Sequence, residues 1–196
     1  DDDKGLNTGG MGAYSPAPVV DGYLHQRIMN EVMIPMVKGM AAEGCPYKGV
    51  LYAGLMIDRD TIKVLEFNGR FGDPEAQPLL VRLQNDIIPV IEAIIDERLD
   101  TCRLDIDPRA SVCVVMASGN YPGKYKKGLE ITGIDAANRM RDVVVFHAGT
   151  RLEGKRILSD GGRVLGVTAL GDTVDLAIKK AYQAVAKINW KDVHYR

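Results

Sequence analysis

Residues 49–57 (GVLYAGLMI) and 62–68 (IKVLEFN) are apolar runs rich in β-branched and aromatic side chains, joined by the polar stretch DRDT. That pattern predicts an antiparallel hairpin. Alternation along the second run sets Ile62, Val64, Glu66 and Asn68 on one face, with Leu65 and Phe67 on the other. The strand then reads as apolar on both sides until its C-terminal end, where a carboxylate and an amide leave the edge of a core. Polar groups so placed are costly unless something partners them.

The residues that follow suggest what those partners are. In LEFNGRFGDPEAQ (residues 65–77), Glu66, Asn68, Arg70, Asp73 and Glu75 fall within ten positions. Same-face positions on a strand lie about 6 to 7 Å apart, so one or two divalent cations fit between Glu66 and Asn68. Their oxygens are hard donors suited to Mg²⁺, or to Mn²⁺. Mg²⁺ commonly takes only one or two protein ligands and completes its shell with water and phosphate oxygens. The pair suffices if a nucleotide supplies the rest.

Arg70 adds a permanently charged fork that fits carboxylate or phosphate and can stabilise charge as it develops. Gly72 turns the backbone. Asp73 and Glu75 flank Pro74; they either face a cationic or amine substrate or form the acidic first turn of the next helix. Upstream, Asn7, Thr8, Gly9, Gly10, Met11 and Gly12 (NTGGMG) offer backbone N–H groups that can wrap an anion or approach a ligand closely. This loop matches neither GxxxxGK[ST] nor GxGxxG.

Elsewhere, helical spacing of apolar residues over 24–42 predicts a helix broken near Pro35, with Met29, Met33, Met36 and Met40 as core packing on one face. Further helices are expected over 75–84 and 85–99, capped by Asn85 or Asp86. A polar connection at 99–110 leads to strands at SVCVVMAS, DVVVFHAG and GRVLGVTALG. A closing helix over 173–188 has Val174, Ala177, Ile178, Ala181, Val185 and Ile188 inward. His25, His147 and His194 lack metal-ligand spacing, and Lys124, Lys126 and Lys127 read as a solvated loop.

The 196 residues carry a formal charge of −1 with both signs mixed along the chain, which gives no reason to expect nucleic acid or anionic membrane as partner. No apolar run reaches bilayer length, and the start, DDDKGLNTGG, lacks signal-peptide regions; DDDK itself resembles part of a cleavable tag. Cys45, Cys102 and Cys113 show no CxxC spacing and predict reduced, mostly buried thiols. A cytoplasmic protein is expected.

LNTGGMGAYSPAP, YKGVLYAGLMI, VLEFNGRFGDPEAQ, ASGNYPGKYKKG, VFHAGT and GGRVLGVTALG together resemble the phosphoribosylamine–glycine ligase family of the ATP-grasp superfamily, with the signature RFGDPE intact at residues 70–75. The resemblance covers nearly the whole chain. It implies an α+β fold: the C-terminal part of an ATP-grasp module, an antiparallel sheet with helices, over residues 1–98. A small mixed α/β C-terminal domain follows over residues 99–196.

It also implies a reaction in which ATP, glycine and 5-phosphoribosylamine give glycinamide ribonucleotide, ADP and phosphate through glycyl phosphate. The family's magnesium ligands carry onto Glu66 and Asn68, and Arg70 takes the role of stabilising the transferring phosphoryl group. Asn7 to Gly12, together with Gly72, Asp73 and Glu75, line the substrate side. Family members carry a further N-terminal half with the rest of the ATP-grasp module and a mobile lid. This chain is therefore expected to be inactive alone and to need that half as its partner. The residues by themselves leave two other readings: another ATP-grasp carboxylate–amine ligase, or a non-catalytic anion-binding or assembly module.

Overall fold

A computed structural model describes residues 5–59 and 61–196. The DDDK start and Asp60 of the hairpin connection lie outside the described residues. The chain is mixed α and β with antiparallel sheets. It forms two compact units: one comprises Asp1–Ser15, Asp73–Gln84 and Ile106–Arg196, the other Pro16–Gly72 and Asn85–Asp105. The division expected at residues 98 and 99 follows chain order, whereas these units interleave. The cause is strand pairing: β1 (Gly12–Ser15) joins the opening segment to β4 (Ala110–Ala117), almost a hundred positions later.

In the first unit the sheet runs β1, β4, β8 (Arg163–Gly171), β5 (Val143–His147), antiparallel throughout. All eight residues of β4 are buried, which explains why ASVCVVMA shows no polar alternation. Val112, Val114 and Met116 enter a core with Leu165, Val167 and Val185. Over that face lie α6 (Val174–Val185) and α5 (Ile134–Asn138). The odd-numbered residues face the other way: Val115 and Ala117 meet Met11 and Tyr121, and Ser111 donates through Oγ to the Pro78 carbonyl of α3 (Ala76–Leu80) at 2.5 Å.

Full burial of a Met116- or Leu165-sized side chain contributes ~1.5–3 kcal/mol, so this core is the main source of the unit's stability. Thr173 caps α6 by accepting from the Leu176 N–H at 3.2 Å. Of the expected inward face of α6, Ala177, Ala181, Val185 and Ile188 are buried, while Ile178 is exposed. A hairpin of β6 (Thr150–Glu153) and β7 (Arg156–Ser159), unforeseen in the sequence, completes the unit.

In the second unit α1 (Gly22–Ile28) passes through a π-helical turn, Met29–Met33, into α2 (Ile34–Ala42). Pro35 sits in the first turn of α2, where its missing N–H costs little, and the wider turn just before it absorbs the mismatch. Asp21 caps α1 and Asp86 caps α4 (Ile87–Ile95). The four methionines are half-buried rather than enclosed. Met36 and Met40 border a cavity of about 190 Å³ whose wall also includes Tyr47, Phe67 and Asn68. The unit's hairpin pairs β2 (Tyr52–Asp58) with β3 (Thr61–Asn68).

Candidate active site

The register of that hairpin decides where Glu66 and Asn68 point. Asn68 pairs with Tyr52, Phe67 with Ala53 and Glu66 with Gly54, but the next pair is Leu55 with Val64. Leu65 is therefore an extra residue, a β-bulge, and it inverts the alternation upstream of it. Ile62, Val64 and Phe67 share the face of Ala53, Leu55 and Ile57. Glu66 and Asn68 share the opposite face with Thr61, Lys63 and Gly54. The expectation that Ile62 and Val64 lie on the face of Glu66 and Asn68 is thus corrected, while the pairing of Glu66 with Asn68 on one face holds.

On that face the Glu66 side chain packs closely over its cross-strand neighbour. Opposite Glu66 stands a glycine, and a Cβ there would meet Glu66 Cγ at 3.2 Å. Glu66 is exposed and Asn68 partly covered, with the Asn68 Nδ2 buried and without a hydrogen-bond partner. Arg70 folds back on its own loop: Nη1 donates to the Phe71 carbonyl at 2.8 Å and Nη2 to Asn68 Oδ1 at a long 3.4 Å. Among the described residues no group of three or more His, Cys, Asp or Glu side chains is placed to hold a metal ion. A cation held by Glu66 and Asn68 oxygens would need its remaining ligands from water or a bound anion, as Mg²⁺ commonly takes them. Gly72, buried, is the last residue of this stretch in the second unit.

Asp73, Glu75 and the opening loop belong to the first unit. Asp73 does not cap α3; its Oδ1 accepts from Gln77 Nε2 at 3.2 Å and its Oδ2 from Arg163 Nη2 at 2.9 Å. Glu75 occupies the N-cap position without a side-chain cap bond, so neither acid caps α3 through a side-chain hydrogen bond, though Glu75 stands at the helix start.

Gly9 and Gly10 reach the same cluster, where Arg163 Nη1 donates to the Gly10 carbonyl at 3.1 Å and the Gly9 N–H donates to Tyr121 Oη at 3.1 Å. Asn7 is exposed, and Thr8 borders a cavity of about 220 Å³ with Met11, Tyr121, Pro122 and His194. Met11 packs against the sheet, its carbonyl accepting from the Val115 N–H at 3.0 Å, and Gly12 begins β1, where a Cβ would come within 3.0 Å of the Cys113 carbonyl oxygen. Beneath these loops the Cys113 thiol is buried, and desolvation pushes its pKa up to about 11. Only Cys113 of the three cysteines is buried; Cys45 is exposed and Cys102 half-exposed, against the expectation of mostly buried thiols.

Sequence reasoning missed Arg163 and Tyr121. GGRVLGVTALG read as a plain strand, and alternation puts Arg163 on the face of Leu165 and Val167. Nothing in its neighbours signals the bulge that moves it.

Comparison with known proteins finds two family models along the chain. The model for "Phosphoribosylglycinamide synthetase, ATP-grasp (A) domain" matches residues 1–76, and that for "Phosphoribosylglycinamide synthetase, C domain" matches residues 111–196. The phosphoribosylamine–glycine ligase of Allochromatium vinosum is 57% identical over 197 residues, covering 100% of this chain and 46% of its own length. That of Pseudomonas syringae pv. tomato is 53% identical with the same coverage. The chain thus spans about half the length of the curated relatives it matches.

The crystal structure of phosphoribosylamine–glycine ligase from Thermotoga maritima superposes with a TM-score of 0.81 at 31% identity, over 100% of this chain and 48% of that one. Biotin carboxylase from Campylobacter jejuni, at 13% identity and a TM-score of 0.62 over 94% of this chain and 40% of its own, shares the fold alone. With both synthetase domain models matched in chain order, and full-length alignment of this chain to ligases at more than half identity, the chain belongs to the phosphoribosylglycinamide synthetase (phosphoribosylamine–glycine ligase) family.

Proposed function

We propose that the complete polypeptide to which these residues belong ligates glycine to 5-phosphoribosylamine at the expense of ATP, giving glycinamide ribonucleotide, ADP and phosphate. The observation that carries the reading is the common face of Glu66 and Asn68, with Gly54 opposite the first and Tyr52 opposite the second. Two hard oxygen donors on one face fit Mg²⁺, which when bound would shield the charge of triphosphate oxygens.

In this reading Glu66 and Asn68 hold the cation, and Arg70 leaves its loop contacts to stabilise charge on the transferring phosphoryl group. Glycine's carboxylate oxygen attacks the γ-phosphorus, the bond from phosphorus to the ADP oxygen breaks, and glycyl phosphate forms. The amine of phosphoribosylamine then attacks the acyl carbon and phosphate leaves, the amine losing a proton. Asp73, near the Gly9–Gly10 turn, supplies negative charge suited to an amine, and the opening loop supplies backbone N–H groups for an anion.

This chain alone is inactive in this reading, because an acyl phosphate exposed to water hydrolyses unless the site is closed around it. The decisive experiment measures glycine- and phosphoribosylamine-dependent ADP release by the complete enzyme and its Glu66→Ala variant. Activity that depends on both substrates and on Mg²⁺, and that falls at least about 100-fold in the variant, supports the reading. Mg²⁺-dependent nucleotide binding that is unchanged by Glu66→Ala favours a non-catalytic anion-binding module instead.

A further inference from the structure

Arg163 opens β8, and its direction is set by a register fault. Leu165 pairs with Met116, but Arg163 pairs with Ala117, so Val164 is an extra residue. Strict alternation would place Arg163 on the face of Leu165, Val167 and Ala169, in the core beneath α6. The bulge keeps both Val164 and Leu165 in that core and turns Arg163 to the opposite face, where Ala117, Met11 and the opening loop lie. A guanidinium is thereby kept out of hydrocarbon and delivered to the Asp73 loop.

There it makes three hydrogen bonds to two chain segments. Nη1 donates to the Asp73 carbonyl at 2.6 Å and the Gly10 carbonyl at 3.1 Å, and Nη2 donates to Asp73 Oδ2 at 2.9 Å. Gly9 lies flat against the guanidinium, since a Cβ there would come within 2.8 Å of Arg163 Cζ; one on Gly10 would come within 2.5 Å of Pro74 Cδ. The base of the clamp is fixed as well: the Gly149 N–H donates to the Arg163 carbonyl at 3.0 Å, and Ser118 N–H to that of Gly162 at 2.8 Å. The Arg163 side chain is 23% exposed and Asp73 54%, so the cation is the inner member of the pair and the carboxylate the outer.

We propose that Arg163 is a positioning residue of the ligase, one that holds the Gly9–Gly10 turn and the Asp73 carboxylate together as a preformed binding surface for an amine-bearing substrate. The assignment rests on the function proposed above. A glycine-rich turn is expensive to order at the moment of binding, and a planar fork that bonds both segments orders it beforehand. Lysine cannot do the same, because one ammonium lacks the fixed pair of donors that spans two segments. Gln77 holds the second Asp73 oxygen, and the outward lone pairs of the carboxylate remain for a substrate N–H.

The test uses the complete enzyme and its Arg163→Ala, Arg163→Lys and Asp73→Ala variants, with saturation curves for glycine, phosphoribosylamine and ATP. Arg163→Ala is expected to raise KM for glycine or for phosphoribosylamine by about tenfold or more while KM for ATP stays within about twofold; which of the two moves identifies the amine that the surface receives. Arg163→Lys recovers part of the loss, guanidinium ion added to Arg163→Ala restores activity without affecting the parent, and Arg163→Ala/Asp73→Ala is no worse than the weaker single variant.

An active parent whose KM values are unchanged in Arg163→Ala and Arg163→Lys overturns the assignment alone. So does an equal rise in all three KM values with no response to guanidinium, which marks a purely structural role. If Arg163→Ala does not fold, Arg163→Lys and Asp73→Ala carry the same comparison. An inactive parent overturns the proposed function and this assignment with it.

Discussion

Gly54 stands directly across the hairpin from Glu66, with its Cα–H where any other residue would press a side chain onto the Glu66 methylenes. In the complete enzyme Gly54→Val is therefore expected to tilt the carboxylate and to raise the apparent KM for ATP in the presence of Mg²⁺ by about tenfold, the loss of ~1.4 kcal/mol. Initial rates of ADP release against ATP and Mg²⁺ concentration check this. Unchanged saturation by both removes the glycine opposite Glu66 from any account of the site.

Acid should loosen the first unit through Asp107. Side-chain and backbone hydrogen bonds from Arg109 bring its pKa down from 3.8 to about 2. Asp142 is lowered too, first by its bond to Lys180 and then by Arg109. A depressed carboxylate gives stability that is complete above its unfolded value and disappears as pH falls through its folded value. Thermal midpoints are expected to drop between about pH 4 and pH 2, and Asp107→Asn to flatten that slope. A variant with the parental slope would assign the acid sensitivity to other carboxylates.

Gly133 has φ +85°, and a Cβ on it would collide with the Lys187 carbonyl. Gly133→Ala forces both an unfavourable backbone conformation and a collision with the segment after α6. The cost is ~1–3 kcal/mol from the backbone conformation and more from the contact. Chemical denaturation monitored at Trp190, itself buried in this core, gives the number. A midpoint equal to that of the parent would mean that the segment moves freely.

Thiol chemistry should separate the three cysteines. Cys45 is exposed, whereas Cys113 is buried with its pKa pushed up to about 11, so it has almost no thiolate near neutrality. A thiol-specific chromogen is expected to titrate Cys45 promptly, Cys102 more slowly and Cys113 only on unfolding. Prompt reaction at Cys113 would indicate that the sheet opens beneath the opening loop.

Much of the architecture is written locally, and so could be read. Thr173 and Asp86 cap helices because each is followed by an apolar helical run, and ASVCVVMA betrays burial on both faces by having no polar side to its alternation. The hairpin around Glu66 was legible as a hairpin for the same reason. What alternation cannot reveal is an extra residue. Leu65 and Val164 look like ordinary strand positions, yet each reverses every side-chain direction on one side of it.

The reading of Glu66 with Asn68 survived because both lie on the same side of their bulge. Arg163 was lost because its bulge lies between it and the residues that seemed to set its face. The hairpin of β6 and β7 and the short α5 escaped for a different reason: four- and five-residue elements carry too few positions for a period to emerge. Asp73 could be suspected of facing an amine, but its partner stands ninety positions later, beyond the reach of any local pattern.

The interleaving of the two units has a consequence for taking the molecule apart. The polypeptide departs from the unit that holds the four-stranded sheet after Ser15, returns to it at Asp73, departs again after Gln84 and returns at Ile106. No single scission along the backbone yields one fragment with each unit intact. Minimising the molecule to its sheet calls instead for two excisions bridged by short grafts, and the first graft would run into Asp73 itself, so the grip of Arg163 would report whether the surgery had preserved the site.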